Sequence, residues 1–399
     1  MSAVAKKRKM NSDLPLCKYG ADCYRKSSDH RKKFHHPRTN KELQTSTSED
    51  TTQKELEKNM KISSKAKKGE SNDVLDGKIE AEQALPEVDK SEFKFVETVE
   101  EVLNNMPKDF SDFWKFCCTL NKAKPEEAFA DLGLHLVGVY DILSRKLPKN
   151  KIVLLHCHWR YYYDPPEFQT VLTVDGNDLY HIGYFRDDPK ELPSVLASNS
   201  AKLGPKLTVM GDNIFAAVNF EITEAIKKSK DKKMAAKFKG MQDKLKKFAA
   251  EEKYSLDIQS QKIKARNKKI VSKTFHGLGI VVPVVNDIGY RPLPDSDATI
   301  KNILRRIASA EDESKRLDEE EKLDELISNV QFANDECDYG MGLELGIDLF
   351  CFGDPYFHSH ISHLLPLAYN LLKREKYAEI IKAHLQKRKK SGLFNELDT

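Results

Sequence analysis

The stretch FQTVLTV-DGND-LYHIGYF, residues 168–185, decides the fold class. Its two arms are rich in β-branched and aromatic residues, which suit a pleated, half-buried surface. Asp175-Gly176-Asn177-Asp178 supplies the turn chemistry between them, so the arms read as a hairpin and therefore as an antiparallel pair. Outward on both sides, KIVLLHCHWRYYY (151–163) and TFHGLGIVVPVV (274–285) read as further strands. Elsewhere the apolar period becomes helical: 93–106, 109–120, 215–253, 298–333 and 358–387, the last with Pro366 as a kink or a start. The fold class expected is α+β, helices flanking a mostly antiparallel sheet, with a small zinc finger at the N-terminus.

Composition divides the 399 residues into unequal parts. Residues 1–40 are basic and rich in Cys and His. Residues 41–90 contain no aromatic side chain and are dominated by Lys, Glu, Ser, Thr and Asp, too little apolar surface to offset chain entropy, so they read as a disordered linker. Residues 91–390 have the composition of a packed domain, and 391–399 form a tail. No apolar run approaches the roughly 18 residues that span a bilayer, and no apolar stretch follows the basic N-terminus as in a secretory signal. Seven scattered cysteines argue against a disulfide framework and for a reducing compartment.

Net charge is +4 and unevenly placed. Residues 1–40 hold 11 Lys/Arg and 3 Asp/Glu, giving +8; the remainder holds 55 and 59, giving −4. A basic head on a mildly acidic body points to a polyanionic partner for the head. Lys6-Lys7-Arg8-Lys9 fits a nuclear import signal.

Within the head, Cys17, Cys23, His30 and His36 offer two thiolates and two imidazoles, a donor set suited to tetrahedral Zn²⁺. About 20 residues cannot build a core, so metal binding would drive folding there. The interval between the Cys pair and the His pair is too short for a base-reading ββα finger. His35 remains an alternative fourth ligand. The pattern, with Tyr19, Gly20, Tyr24, Arg25 and Phe34 at the positions between ligands, resembles the poly(ADP-ribose)-binding zinc finger over residues 17–37. The resemblance implies that Tyr19, Tyr24 and Arg25 hold adenine and phosphate. A flat ring stacks on a base and a guanidinium pairs with pyrophosphate.

The body carries no nucleotide-binding loop or nucleophile elbow, and Gly277-Leu278-Gly279 lacks the rest of a dinucleotide fingerprint. His156 and His158 alternate on the expected strand and read as packed side chains or a metal pair. Cys117-Cys118 and His358-x-His360 diverge on a helix. Two stretches stand apart. VQFANDECDYGMGLELG (330–346) places Asp335, Glu336 and Asp338 together ahead of Gly340 and Gly342; it reads equally as a functional acidic loop or as a helix end with solvated charges. NDIGYRPLP (286–294) sets Tyr290 and Arg291, common interface anchors, in a Gly/Pro loop.

HWRYYYDPPEFQTV, YHIGYFRD, GDNIFAAV, KTFHGLGIVVPV, NDIGYR, QFANDECDYGMGLELGIDLFC and LLPLAYNLLKR resemble the histone PARylation factor family from about Phe93 to the C-terminal helices. The best-known members have no zinc finger; this chain adds one, as an invertebrate member would. The resemblance implies a protein without stand-alone activity that docks on the catalytic domain of a DNA-damage-activated poly(ADP-ribose) polymerase and shifts modification from Asp/Glu to Ser on histones. It implies Glu336 as the catalytic glutamate and Asp335, Asp287, Tyr290 and Arg291 at the partner interface. NAD⁺ belongs to the partner, Zn²⁺ to the finger alone, and the free chain is expected to be a nuclear monomer on chromatin. A poly(ADP-ribose) reader with an inert acidic segment, or an ADP-ribosyl hydrolase, are the competing readings.

Overall fold

The computed structural model describes residues 99–147 and 157–388, together with the isolated positions 35 and 390. The chain divides into two compact units, Met1–Glu87 and Val88–Thr399, and the elements below all belong to the second. The finger residues Cys17, Tyr19, Cys23, Tyr24, Arg25, His30 and His36, and the linker, lie outside the described residues.

In chain order these elements are α1 (Val99–Asn104), α2 (Lys108–Leu120), β1 (Leu134–Leu136), α3 (Tyr140–Leu143), β2 (Phe168–Val174), β3 (Tyr180–Phe185), β4 (Val195–Ser200), β5 (Thr208–Gly211), α4 (Ile214–Lys228), α5 (Lys232–Glu251), α6 (Gln261–Asn267), β6 (Ile270–Ser272), β7 (Ile280–Val281), α7 (Asp297–Ser309), α8 (Glu313–Asp335), α9 (Gly340–Phe352), α10 (His358–Leu371) and α11 (Glu375–Lys387). The class is α+β. β1 to β5 form one sheet in sequence order, every pair antiparallel, with β2 and β3 as the expected hairpin. Short connections join β2 to β5, whereas α3 lies between β1 and β2; in both cases neighbours in sequence are neighbours in space.

One face of the sheet packs on α2, α4 and α5 through an aromatic core. Phe113, Phe116, Phe129 and Phe215 are fully or almost fully buried there with Leu172 and Ile182. The other face is covered by Ile263 of α6 and by Leu278, beside Phe168, Phe185 and Val195. α7 to α11 then stack in succession. α9 is buried almost throughout its length, which is why its sequence, GMGLELGIDLFCF, shows no polar stripe.

Three expectations change. Residues 157–163 are turns, not a strand, because carboxylates draw this backbone inward. His158 and Trp159 both hydrogen-bond Asp141, at 2.9 and 2.8 Å, and the Tyr161 N–H donates to Asp164 at 2.9 Å. His158 is therefore a packed side chain, while His156 lies outside the described residues. Of 274–285, only Ile280–Val281 is strand. Gly277 and Gly279 hold left-handed φ of +78° and +80°, and the Phe275 N–H turns aside to Asp348 Oδ1 at 2.8 Å. Finally, 330–346 is no Gly-bounded loop: α8 runs to Asp335 and α9 starts at Gly340, so the segment is a helix end, but its charges are not all solvated, since Asp338 is buried. Pro366 lies inside α10 and marks neither end of it.

Candidate functional site

The last turn of α8 sets the site. Glu336 closes the helix, its N–H donating back to Phe332 and Ala333. Cys337 takes a left-handed φ of +68°, and the Asp338 N–H returns to the Ala333 carbonyl at 2.8 Å. This is the Schellman arrangement, with cysteine where glycine is usual. It ends α8 abruptly and leaves the side chains of Asp335 and Glu336 exposed at the corner. Asp338 turns inward and is buried.

Asp338 fastens the second stretch to the first. Its Oδ1 accepts the Gly289 N–H at 2.9 Å, and the Gly340 N–H donates to the Gly289 carbonyl at 2.9 Å. Gly289 has φ +129°, and a Cβ there would meet the Pro283 carbonyl at 2.1 Å. Only glycine passes so close to neighbouring backbone. From this pin the chain leads directly to Tyr290 and Arg291. The Arg291 guanidinium hydrogen-bonds the Glu336 carboxylate and lies 3.1 Å from Asp338 Oδ2. Arg291 and Glu336 both keep about half their side-chain surface in solvent.

Tyr290 faces the other way. Its hydroxyl donates to Glu344 Oε2 at 3.0 Å, and Glu344 Oε1 accepts from Ser272 at 2.7 Å. Burial pushes the Glu344 carboxyl above the usual range. Asp348, one turn on and deeper, is raised well above it, again by burial. Tyr290 thus anchors the loop from beneath while Arg291 presents itself outward.

On the outer side, Asn286 and Asp287 adopt φ of +52° and +61° in a two-residue turn. It is closed by reciprocal hydrogen bonds between Val285 and Ile288 of 2.9 and 3.1 Å, the primed geometry that Asn and Asp tolerate. Val285 is 67% exposed, Ile288 53%, and Phe332, one turn before Glu336, 62%. Exposed large apolar groups beside a charged cluster are a feature of interfaces. A cavity of about 550 Å³ between α7 and α8 and one of about 290 Å³ beside β4 are lined without Glu336 or Arg291. No group of three or more metal-ligating side chains occurs among the described residues.

The structure therefore brings Glu336 onto Arg291, next to Tyr290 in the chain; Asp335 and Asp287, also named from sequence, are exposed on the two segments that carry this pair. It adds Asp338 as the pin and Ser272 and Glu344 as the support of Tyr290. Asp338 was visible in the acidic cluster; the Glu344–Ser272 contact spans 72 residues and left no sequence signal.

A family model described as Histone PARylation factor 1 matches residues 92–388, and one described as PBZ domain matches residues 14–39. Histone PARylation factor 1 of Mus musculus is 49% identical over 294 residues, covering 72% of this chain and 85% of that protein. The Bos taurus and Danio rerio proteins of that name are 49% and 48% identical, covering 71% and 72% of this chain and 83% and 84% of theirs. No helix among the described residues is long and apolar enough to cross a membrane.

Proposed function

This chain belongs to the histone PARylation factor 1 family, and on that premise we propose that it completes the active site of a DNA-damage-activated poly(ADP-ribose) polymerase and directs ADP-ribose to serine on histones. The chain is then half of an enzyme rather than an enzyme. Glu336 is the general base and Arg291 the docking cation. Asp335 and Asp287 flank the contact, and Tyr290 holds the docking loop in place.

The observation that carries this reading is the exposed Arg291–Glu336 pair on a fixed corner. A carboxylate on an exposed corner can be inserted beside another protein's substrate, whereas a stand-alone hydrolase would gather its carboxylates in a cleft. A serine hydroxyl is a poor nucleophile at neutral pH. Attack on the ribose carbon of NAD⁺, with nicotinamide leaving, needs a proton acceptor within about 3 Å as the new bond forms. The polymerase activates NAD⁺; Glu336 takes the proton.

The PBZ match supports a second, compatible role at the N-terminus. Cys17, Cys23, His30 and His36 hold Zn²⁺, while Tyr19, Tyr24 and Arg25 bind poly(ADP-ribose). The protein thereby stays where polymer has been made, on chromatin in the nucleus.

The test is to add the chain to activated polymerase, NAD⁺ and a histone peptide, and to identify the modified residue by mass spectrometry. New serine modification is the expected result. Unchanged Asp/Glu modification would favour the polymer-reading scaffold, and loss of preformed ADP-ribose a hydrolase.

A further inference from the structure

We propose that the outer face of α5 is a docking surface for duplex DNA, held through backbone phosphates. This goes beyond the proposed function and uses no residue of the Glu336 site.

α5 is a 20-residue helix, about 30 Å long at 1.5 Å per residue. It buries Phe238, Gln242, Leu245 and Ala249 along one side. The other side is lysine. Seven lysines stand on the helix against two acidic residues, Asp243 and Glu251, in a body whose net charge is otherwise negative. At 100° per residue, Lys233, Lys237, Lys244 and Lys247 fall in one row, all exposed. Lys232, Lys239 and Lys246 form a second row on one side of it, about 100–140° round the helix. Lys237 reaches Asp131 and Lys239 pairs with Asp243. Lys232, Lys233, Lys244, Lys246 and Lys247 make no ion pair among the described residues.

A solvated helix face usually mixes its signs, because like charges three or four residues apart repel. Lys244–Lys247 is such a pair with no acidic partner among the described residues, and in Lys233–Lys237 only Lys237 has one, Asp131. Gly240 gives an independent sign. It sits in the middle of the row, exposed, and a Cβ built on it meets nothing within 4 Å. Glycine weakens a helix interior, and no packing within the chain requires one here. A bare backbone at the centre of a cationic row lets another surface approach closely.

The chemistry of the face selects the ligand. Phe238 is buried, and Phe248 packs inward on Phe116 and Phe215, with ring centroids 5.2 and 5.6 Å apart. No ring of this helix is free to stack on a base, the usual grip on single strands and other unstacked nucleotides. Lysine is a point charge with no planar fork for base edges. Such a face reads phosphate alone, and a straight row of about 21 Å from Lys233 to Lys247 suits the regular phosphates of a duplex.

The experiment follows a fluorescent 30-base-pair duplex by anisotropy as the full chain is titrated in, at several salt concentrations. Wild type is compared with Lys233→Gln/Lys244→Gln/Lys247→Gln, both also carrying Cys17→Ala to remove the folded finger, so that the basic N-terminal charge is a background common to both. The triple variant should bind at least about 10-fold more weakly, and its log K against log salt should be shallower by about 2.7, near 0.9 for each lost contact. Gly240→Leu, which raises helix propensity, should unfold no earlier than wild type yet also bind duplex more weakly. Unchanged affinity and slope in the triple variant would overturn the proposal. So would an equal loss of binding to purified poly(ADP-ribose), which would make the face a polymer reader.

Discussion

The guanidinium of Arg291 lies against the carboxylate of Glu336, 45 residues away in sequence. Under the proposed mechanism these two groups have separate partners, a carboxylate of the polymerase for Arg291 and the serine proton for Glu336. Docking must therefore open the pair, and the base becomes available only when the complex forms.

Arg291→Ala should abolish co-purification with the activated polymerase while the thermal midpoint moves little, since both side chains are about half exposed in the free chain. Arg291→Lys should fail as well, because lysine lacks the planar two-point fork that matches a carboxylate. An Arg291→Ala chain that still co-purifies would remove Arg291 from the interface.

Tyr290→Phe tests the support beneath the loop. It deletes the donor to Glu344 Oε2 and leaves a half-satisfied buried carboxyl, at a cost of about 1–2 kcal/mol. Chemical denaturation should show that loss. Docking should weaken too, since Arg291 is the next residue, yet serine modification at saturating chain should recover. A variant that is destabilised but docks normally would separate Tyr290 from function.

Glu167 gives a pH signature of the fold. It is fully buried, and burial pushes its carboxyl up to about 7 even though Tyr369 donates to both oxygens, at 2.9 and 3.0 Å. A carboxyl whose folded pKa exceeds its unfolded pKa stabilises fully below the unfolded value, and that contribution is lost as pH rises through the folded one. The window is therefore about pH 4.5 to 7. Glu167→Gln should gain on wild type by up to about 3 kcal/mol across it, read from denaturation midpoints at matched pH. A constant difference would show that Glu167 does not titrate there.

Zinc removal should separate the two ends of the chain. The 1–40 peptide should gain structure with one Zn²⁺ and lose it with a chelator, and Cys17→Ala or His30→Ala should do the same. The body should keep its unfolding transition in these variants. With zinc, Tyr24→Ala should weaken poly(ADP-ribose) binding at nearly unchanged salt slope, whereas Arg25→Ala should weaken it and flatten the slope. A peptide indifferent to zinc would refute the ligand set.

Local chemistry was legible in the sequence where one segment settled its own structure. The hairpin 168–185 and the helices near 109–120, 215–253 and 298–333 follow from period and turn residues. What was missed depends on contacts and backbone conformations that the apolar period does not report. Residues 157–163 carry strand-forming side chains, but Asp141 and Asp164 bend them. Helix α9 was missed because, buried, it has no polar face to show its period, and the end of α8 stayed ambiguous because Cys337, not glycine, takes the left-handed position. For the site, the acidic triplet and the Tyr-Arg pair were each visible, but not their contact. It depends on the Asp338–Gly289 pin, a relation across 49 residues that no local pattern encodes.

Glu336→Gln decides the mechanism. The amide keeps the size and hydrogen-bonding reach of the carboxylate but cannot take a proton. In the free chain it also loosens Arg291, which keeps only Asp338 as an ionic partner, so docking should be intact or slightly stronger. Serine modification should fall by roughly 10²-fold or more, the usual worth of a general base. Asp/Glu acceptors, whose carboxylates are nucleophilic without deprotonation, should be unaffected. Asp335→Ala should lower serine modification mainly through weaker docking, recoverable at high concentration, which the Glu336→Gln loss should not be. On the proposed mechanism the chain occupies the acceptor side of the site, so excess wild type should shorten polymer, and so should Glu336→Gln if it docks. Short polymer without serine modification is therefore the expected signature of this variant. Full serine modification at the wild-type rate would show that Glu336 is not the base and would leave docking alone as the function of this corner.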